Sequence, residues 1–143
     1  MHPSSIHPDK ELKELLSGNV LVETTPLTIY QDWERPTNQV PKDFLVIFLN
    51  GDIEGLSADT PFARGYIMLS LYCKLNDDGS VKSSRIQKIL EQFDDIIDGA
   101  TTENYHFAYE MQRFITPTTP NQSTGYSVTT LNLRWTTNKH FNS

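Results

Sequence analysis

The sequence predicts an α+β fold, a mainly antiparallel sheet with one long helix packed on one face and a short N-terminal helix. Residues 66–75 form a long alternating apolar run, as a half-buried strand does. After a turn at 76–79, apolar residues recur at helical spacing as far as Ile97. Residues 105–115 and 126–135 follow as two strands joined by a Thr- and Pro-rich arm. A strand that leads into a helix and then a hairpin is typical of this class.

The first elements are a short helix and a short strand. The helix is predicted over residues 8–17, because it begins at a proline, carries acidic residues in its first turn and ends at Gly18. Its three leucines share one face. Residues 20–22 form either a short strand or a connection, and residues 27–30 alternate as a strand does.

The next strand is predicted over residues 44–49, which are apolar at every position. Such a run indicates a strand covered on both faces, or one half-covered by a partner. It is flanked by two loops, a polar one at 32–42 whose large apolar residue is Trp33, and a longer one at 52–63. Loops of that length inside a domain are usually functional or mobile.

The strand at 66–75 and the helix after it form the centre of the predicted fold. One strand face is plainly core, and the other is amphipathic and could pack or meet a partner. The core face consists of Ile67, Leu69, Leu71, Cys73 and Leu75, and the second face of Tyr66, Met68, Ser70, Tyr72 and Lys74. The apolar side of the helix consists of Ile86, Ile89, Leu90, Phe93, Ile96 and Ile97.

Local signals place the ends of these elements. The helix is capped either by Ser80 or by Ser84, which has capping-box spacing to Gln87, and Gly99 closes it. In the last strand the alternation slips after Val128, which predicts a bulge or a change of sheet partner.

Composition limits the kind of protein. The 143 residues suit a single domain, with a core at about 8–136 between polar tails. No apolar run approaches the ~20 residues that span a bilayer, and the first residues lack a secretory signal, so we expect an intracellular chain that binds no membrane. A net charge of −6 with scattered basic residues argues against nucleic-acid binding as the main role.

The sequence contains no catalytic signature, so we predict no enzyme activity, cofactor or metal. There is no Gly-rich phosphate loop, no paired cysteine and no zinc-ligand spacing, and Cys73 is expected to be buried. Residues 77–79 resemble a fragment of a calcium loop but are better explained as a turn. The acidic residues at 94, 95 and 98 indicate either a solvated helix end or a site for a cationic partner. His106 is expected to face solvent or to be structurally bonded.

Interface-like residues are what remains. Exposed aromatic residues and sheet edges are how small domains build rings. For Trp33 and Phe62, an equally open alternative is that they fold back on their own core. The candidate oligomer or partner residues are Trp33, Ile53, Leu56, Phe62, Tyr66, Met68, Tyr72, Pro117 and Pro120.

The order of elements resembles the tail-terminator and tail-completion proteins of long-tailed bacteriophages, including minor tail proteins. The resemblance spans about residues 8–136, and it is one of pattern and length, since that family has no diagnostic residue motif. It is carried by the short helix, the strand Leu27-Thr28-Ile29-Tyr30, the hydrophobic strand after Pro41, the strand from Arg64 to Tyr72, the turn Asp77-Asp78-Gly79, the helix and the terminal hairpin.

The resemblance implies a structural virion protein. Members of that family form hexameric rings that cap the tail tube and join it to the head connector, and DNA passes through the ring without specific binding. The expected partners are therefore further copies of the chain, the tube and the connector. Two alternatives stay open, namely a protein-binding adaptor and a small ligand-binding or enzymatic domain. The latter needs a pocket lined by Tyr66, Tyr72, Tyr105 and Tyr109.

Overall fold

A computed structural model of the chain describes residues 6–34, 42–49, 63–109, 119–121 and 124–137, with side chains undescribed at 119–121. It confirms the predicted α+β class and a mostly antiparallel sheet. The described helices are α1 (Pro8–Leu16) and α2 (Ser83–Ile97), with a short 3-10 turn at Asp32–Glu34. The described strands are β1 (Leu21–Val22), β2 (Thr25–Pro26), β3 (Thr28–Gln31), β4 (Phe44–Leu49), β5 (Arg64–Lys74), β6 (Tyr105–Tyr109), β7 (Thr119–Asn121) and β8 (Tyr126–Thr137).

The main sheet has the strand order β3-β4-β5-β8-β6, and β7 pairs with the other end of β8. Its centre is the antiparallel pair β5 and β8, in register from Arg64 opposite Thr136 to Lys74 opposite Tyr126. Strands β3 and β4 are parallel, which makes the sheet mixed. Strands β1 and β2 form a separate antiparallel hairpin.

Both described helices cover the same face of this sheet, which we call the core face. Alternation along β5 puts Ile67, Leu69, Leu71 and Cys73 on it, as predicted, and all are buried. Leu12 and Leu16 of α1 join the same hydrophobic cluster. From α2 the cluster receives Ile86, Ile89, Leu90, Phe93 and Ile97. The predicted apolar stripes are therefore what attaches the helices to the sheet.

A close contact on the core face, near the start of β5, requires a glycine. Gly65 lies opposite Trp135, which is fully buried. A Cβ atom on Gly65 would stand 2.8 Å from Cζ2 of the indole ring, closer than carbon atoms pack. The large ring therefore fits because its strand neighbour has no side chain.

Both predicted N-cap residues of α2 are wrong. The N-cap residue is Lys82, which makes no side-chain capping bond. Ser80 is occupied in the preceding turn, where its hydroxyl donates to Asp78 Oδ1 at 2.6 Å and accepts from Asn76 Nδ2 at 2.9 Å. Ser84 already lies inside the first helical turn. At the other end Gly99 has φ +79°, as expected of the residue that ends a helix.

The irregular alternation in β8 reflects a change of partner and not a bulge against β5. The pairing with β5 is continuous from Tyr126 to Thr136. On the other edge, β7 pairs with the first residues of β8 and β6 with the last. The alternation is interrupted because the polar residues Ser127 and Thr129 occupy buried core-face positions, and the Ser127 hydroxyl donates to the carbonyl of Cys73 at 3.3 Å.

Candidate protein interface

The structure describes the side chains of four of the nine candidate interface residues. Ile53, Leu56, Phe62 and Pro117 lie outside the described residues. Pro120 is described only by its backbone, which pairs in β7 with Ser127 of β8. The four with described side chains are Trp33, Tyr66, Met68 and Tyr72.

Three of these four lie together on the face of the sheet opposite the helices, which we call the outer face. The strand register places Tyr72 opposite Phe44, and Met68 opposite Phe48. No described helix covers the outer face, and the hydrophobic cluster on it is largely aromatic. Its large side chains are Tyr30, Phe44, Val46, Phe48, Tyr66, Met68, Tyr72 and Tyr126.

A cluster of four rings is centred on Phe44. The Phe44 and Tyr72 rings stack, with centroids 4.7 Å apart and planes 9° apart. Tyr30 and Tyr126 meet Phe44 edge-on, at 5.8 and 5.7 Å. Offset-stacked and edge-on pairs are the favoured aromatic geometries. The ring contacts therefore fix the side chains in this half of the outer face, and Phe44 and Tyr126 are buried.

The other half of the outer face is open. Tyr66 and Met68 are 39% and 37% exposed. The guanidinium of Arg134, the cross-strand neighbour of Tyr66, lies 5.9 Å from the centroid of the tyrosine ring. Arg64, Tyr66 and Arg134 line a shallow depression of about 230 Å³. Tyrosine and arginine next to an exposed methionine are residue types enriched in protein interfaces.

Trp33 does not fold back on the core, since 77% of its surface is exposed. It sits in the 3-10 turn, and its neighbour Glu34 fixes that turn. Glu34 Oε1 accepts from Lys13 Nζ of α1 at 2.6 Å and from the backbone N–H of Gln31 at 2.9 Å. These hydrogen bonds lower the pKa of Glu34. An indole held outward on a fixed turn suits insertion into a partner's surface.

A buried carboxylate holds β4, β5 and α2 together behind this face. Asp43 Oδ1 accepts the backbone N–H of Lys74 at 2.8 Å, and its Oδ2 lies 3.3 Å from Nη1 of Arg85. Arg85 also donates to Glu23 at 2.6 Å.

Cys73 is buried as predicted, and burial together with the nearby Asp43 charge raises the pKa of its thiol to about 12. A thiol in that state is protonated near neutral pH and is a poor nucleophile.

The four tyrosines required by the ligand-binding alternative do not converge on one pocket. Tyr66 and Tyr72 lie on the outer face, whereas Tyr105 and Tyr109 point to the core face.

His106 was expected to face solvent or to be structurally bonded. It is exposed, and its Nδ1 lies 3.1 Å from the Thr101 hydroxyl.

Two features are absent from the described ranges, a metal-binding cluster and a membrane-spanning helix. Within them, no three His, Cys, Asp or Glu residues are grouped so that they could hold a metal ion. None of the described helices has the length and apolarity needed to cross a membrane.

The acidic end of α2 has partners within the protein. Asp94 accepts from the Tyr109 hydroxyl at 2.9 Å, and Asp98 accepts from the Tyr109 backbone N–H at 3.3 Å. Asp95 is exposed. The sequence predicted either a solvated helix end or a site for a cationic partner. Two of the three carboxylates have a further role, because their hydrogen bonds to Tyr109 attach β6 to the helix.

Sequence reasoning missed the aromatic partners Tyr30 and Tyr126 and the arginine Arg134. The uninterrupted apolar run at 44–49 indicated a second buried face, but only the strand register shows which side chains share it.

A scan against models of known protein families and a search of curated proteins found no match.

Proposed function

We propose that this chain is a structural virion protein that resembles tail terminators, whose copies associate into a ring that caps the tail tube and joins it to the head connector. The observation that carries the proposal is the outer face, where an ordered aromatic cluster continues into exposed Tyr66 and Met68. Contiguous apolar surface on a small domain is typical of an interaction site.

The arrangement of the sheet supports association between copies. Strand β3 ends one side of the main sheet and has only four residues, and β6 and β7 share the other side. Short edge strands limit uncontrolled pairing, so a specific contact must come largely from side chains. Trp33 and the outer face supply large side chains that lose exposed apolar area when they are covered, at roughly 25 cal/mol per Å².

The proposal is tested with tail tubes assembled from the tube protein of a long-tailed bacteriophage. We expect the wild-type protein to stop tube growth and to be visible at tube ends by negative-stain electron microscopy. The variant Trp33→Ala/Tyr66→Ala/Met68→Ser should fold but lose capping, because it removes the three exposed anchors without touching a buried residue.

The matched control is Lys10→Ala/Glu14→Ala, which changes two exposed residues on α1. We expect this control to cap tubes as the wild type does. Capping that is unchanged in the triple variant would exclude the outer face and Trp33 as the contact. Failure of the wild type to act on any tube would exclude the function itself.

A further inference from the structure

The charges of α2 run against the helix dipole. Lys82 precedes the helix as its N-cap, and Arg85 and Lys88 lie in its first half. Its first turn contains no acidic residue and its last turn no basic one. A helix favours anionic groups at its N-terminus and cations at its C-terminus, each by about 0.3–1 kcal/mol, so this order lowers the stability of the isolated helix. The second half and the residue after it carry Glu91, Asp94, Asp95 and Asp98.

The basic half of α2 borders a groove of about 780 Å³ against the β1–β2 hairpin. The apolar residues lining it include Leu21, which is 41% exposed, together with Val22 and Val81. Its rim carries Lys82 and Lys88. Neither ammonium group pairs with a carboxylate in the described part of the chain, whereas Arg85 pairs with Glu23 and Asp43.

The groove is built from a fixed hairpin. Gln92 of α2 accepts from the backbone N–H of Leu21 at 2.7 Å and donates to its carbonyl at 2.8 Å. The ion pair between Arg85 and Glu23 holds the hairpin at the other end. A partner would therefore meet a preformed surface, which lowers the ordering cost of binding.

The chemistry of the groove fits an acidic segment with some apolar surface. This chain carries one at the opposite end of the same helix, where Glu91, Asp95 and Asp98 are exposed and Ile96 is partly buried. Lys82 and Asp98 lie sixteen residues apart, or about 24 Å along a helix at 1.5 Å per residue. One copy can therefore offer its acidic end while its own groove accepts the next copy.

We infer that the α2 groove of one copy binds the acidic end of α2 in a second copy, head to tail. The inference rests on the proposed function. A contact between two different surfaces of the same chain repeats from copy to copy, and a ring results when the rotation closes. The reversed charge order of α2 then has a reason, because the cost in each helix is offset at each contact.

The test uses two charge-reversal variants of the full chain, Lys82→Glu/Lys88→Glu in the groove and Glu91→Lys/Asp95→Lys at the acidic end. Sedimentation velocity measures their self-association with and without tail tubes. We expect each variant alone to associate about tenfold more weakly than the wild type, or worse, and the equimolar mixture to recover association. The mixture recovers because every contact in it joins opposite charges again.

The control Lys10→Glu/Glu14→Lys reverses one charge of each sign at exposed positions of α1 and leaves the net charge at −6. It should associate like the wild type, and thermal unfolding should report all three variants as folded.

Three outcomes would overturn the inference while leaving ring formation intact. In the first, the wild type forms rings and the two variants associate as strongly as it does. In the second, the variants lose association and the equimolar mixture does not restore it. The third is normal self-association with loss of tube binding, which would make the tube protein the occupant of the groove. A wild-type chain that never associates, even on tubes, would instead remove the proposed function.

Discussion

At the residue scale, the contact between Gly65 and Trp135 makes a sharp prediction. Gly65→Ala puts a methyl group 2.8 Å from the buried indole, so we expect the free energy of unfolding to fall by about 1–3 kcal/mol. Trp135→Phe frees space at the same place and costs stability through a cavity.

In the double variant the methyl group fills part of that cavity, so its loss should be smaller than the sum of the two single losses. Urea unfolding of the four proteins measures this coupling. Additive losses of unfolding free energy would show that the size of one side chain does not restrict the size of the other.

Because the Cys73 thiol is buried, we expect the stability of the fold to fall at alkaline pH. Its pKa rises from 9.0 to about 12 in the folded chain, because burial and Asp43 disfavour the thiolate. Above pH 9.0 the unfolded chain therefore binds fewer protons than the folded chain, and stability is lost as pH rises towards 12.

The slope contributed by one such group approaches 1.4 kcal/mol per pH unit. We expect Cys73→Ala to flatten the fall in unfolding free energy that begins at pH 9.0, whatever the variant costs at neutral pH. Tyr105, whose pKa burial also raises to about 12, contributes equally to both proteins and cancels in the difference. Parallel pH profiles for wild type and variant would contradict the assignment.

At the element scale, the start of α2 is the clearest place to gain stability. Lys82 is an N-cap without a side-chain bond, beside the positive end of the helix dipole. Lys82→Asp supplies a capping oxygen and a favourable charge, so the free energy of unfolding should rise by about 1 kcal/mol. Denaturant unfolding checks this.

Ser84→Ala is the control, because Ser84 lies inside the first turn and is exposed. It should leave stability nearly unchanged, whereas a loss of about 1 kcal/mol would mean that Ser84 caps the helix after all.

The elements show how far the sequence alone could go. Periodicity was sufficient for α2 and the faces of β5, and the uninterrupted apolar run was sufficient for β4, since burial of apolar side chains is what forms these elements. It failed at the cap, because the hydroxyl of Ser80 found closer partners in the preceding turn. At the slip in β8 the alternation left a bulge and a change of partner open, and the strand register shows the change of partner, with the Ser127 hydroxyl donating to a backbone carbonyl.

The candidate interface was predicted only in part, for a related reason. Tyr66, Met68 and Tyr72 were found because alternation within one strand puts them on one face. Their cross-strand partners Phe44 and Arg134 depend on the register between strands that are distant in sequence. Sequence periodicity does not contain that register.

At the scale of the whole molecule, stability and association should oppose each other. Lys82→Asp strengthens the isolated helix but places a carboxylate in the groove that is proposed to receive the acidic end of a neighbour. We therefore expect the same variant to unfold at a higher urea concentration and to associate more weakly than the wild type. Stronger association in the stabilised variant would show that the groove is not the contact.

The central claim is that copies of this chain form a closed ring. Light scattering coupled to size-exclusion chromatography measures it most directly, on concentrated protein alone and on protein bound to tail tubes. We expect one narrow species whose mass is a multiple, beyond a dimer, of the 16.3 kDa chain. A mass of 16.3 kDa at every concentration, with no protein bound to tubes, would contradict it.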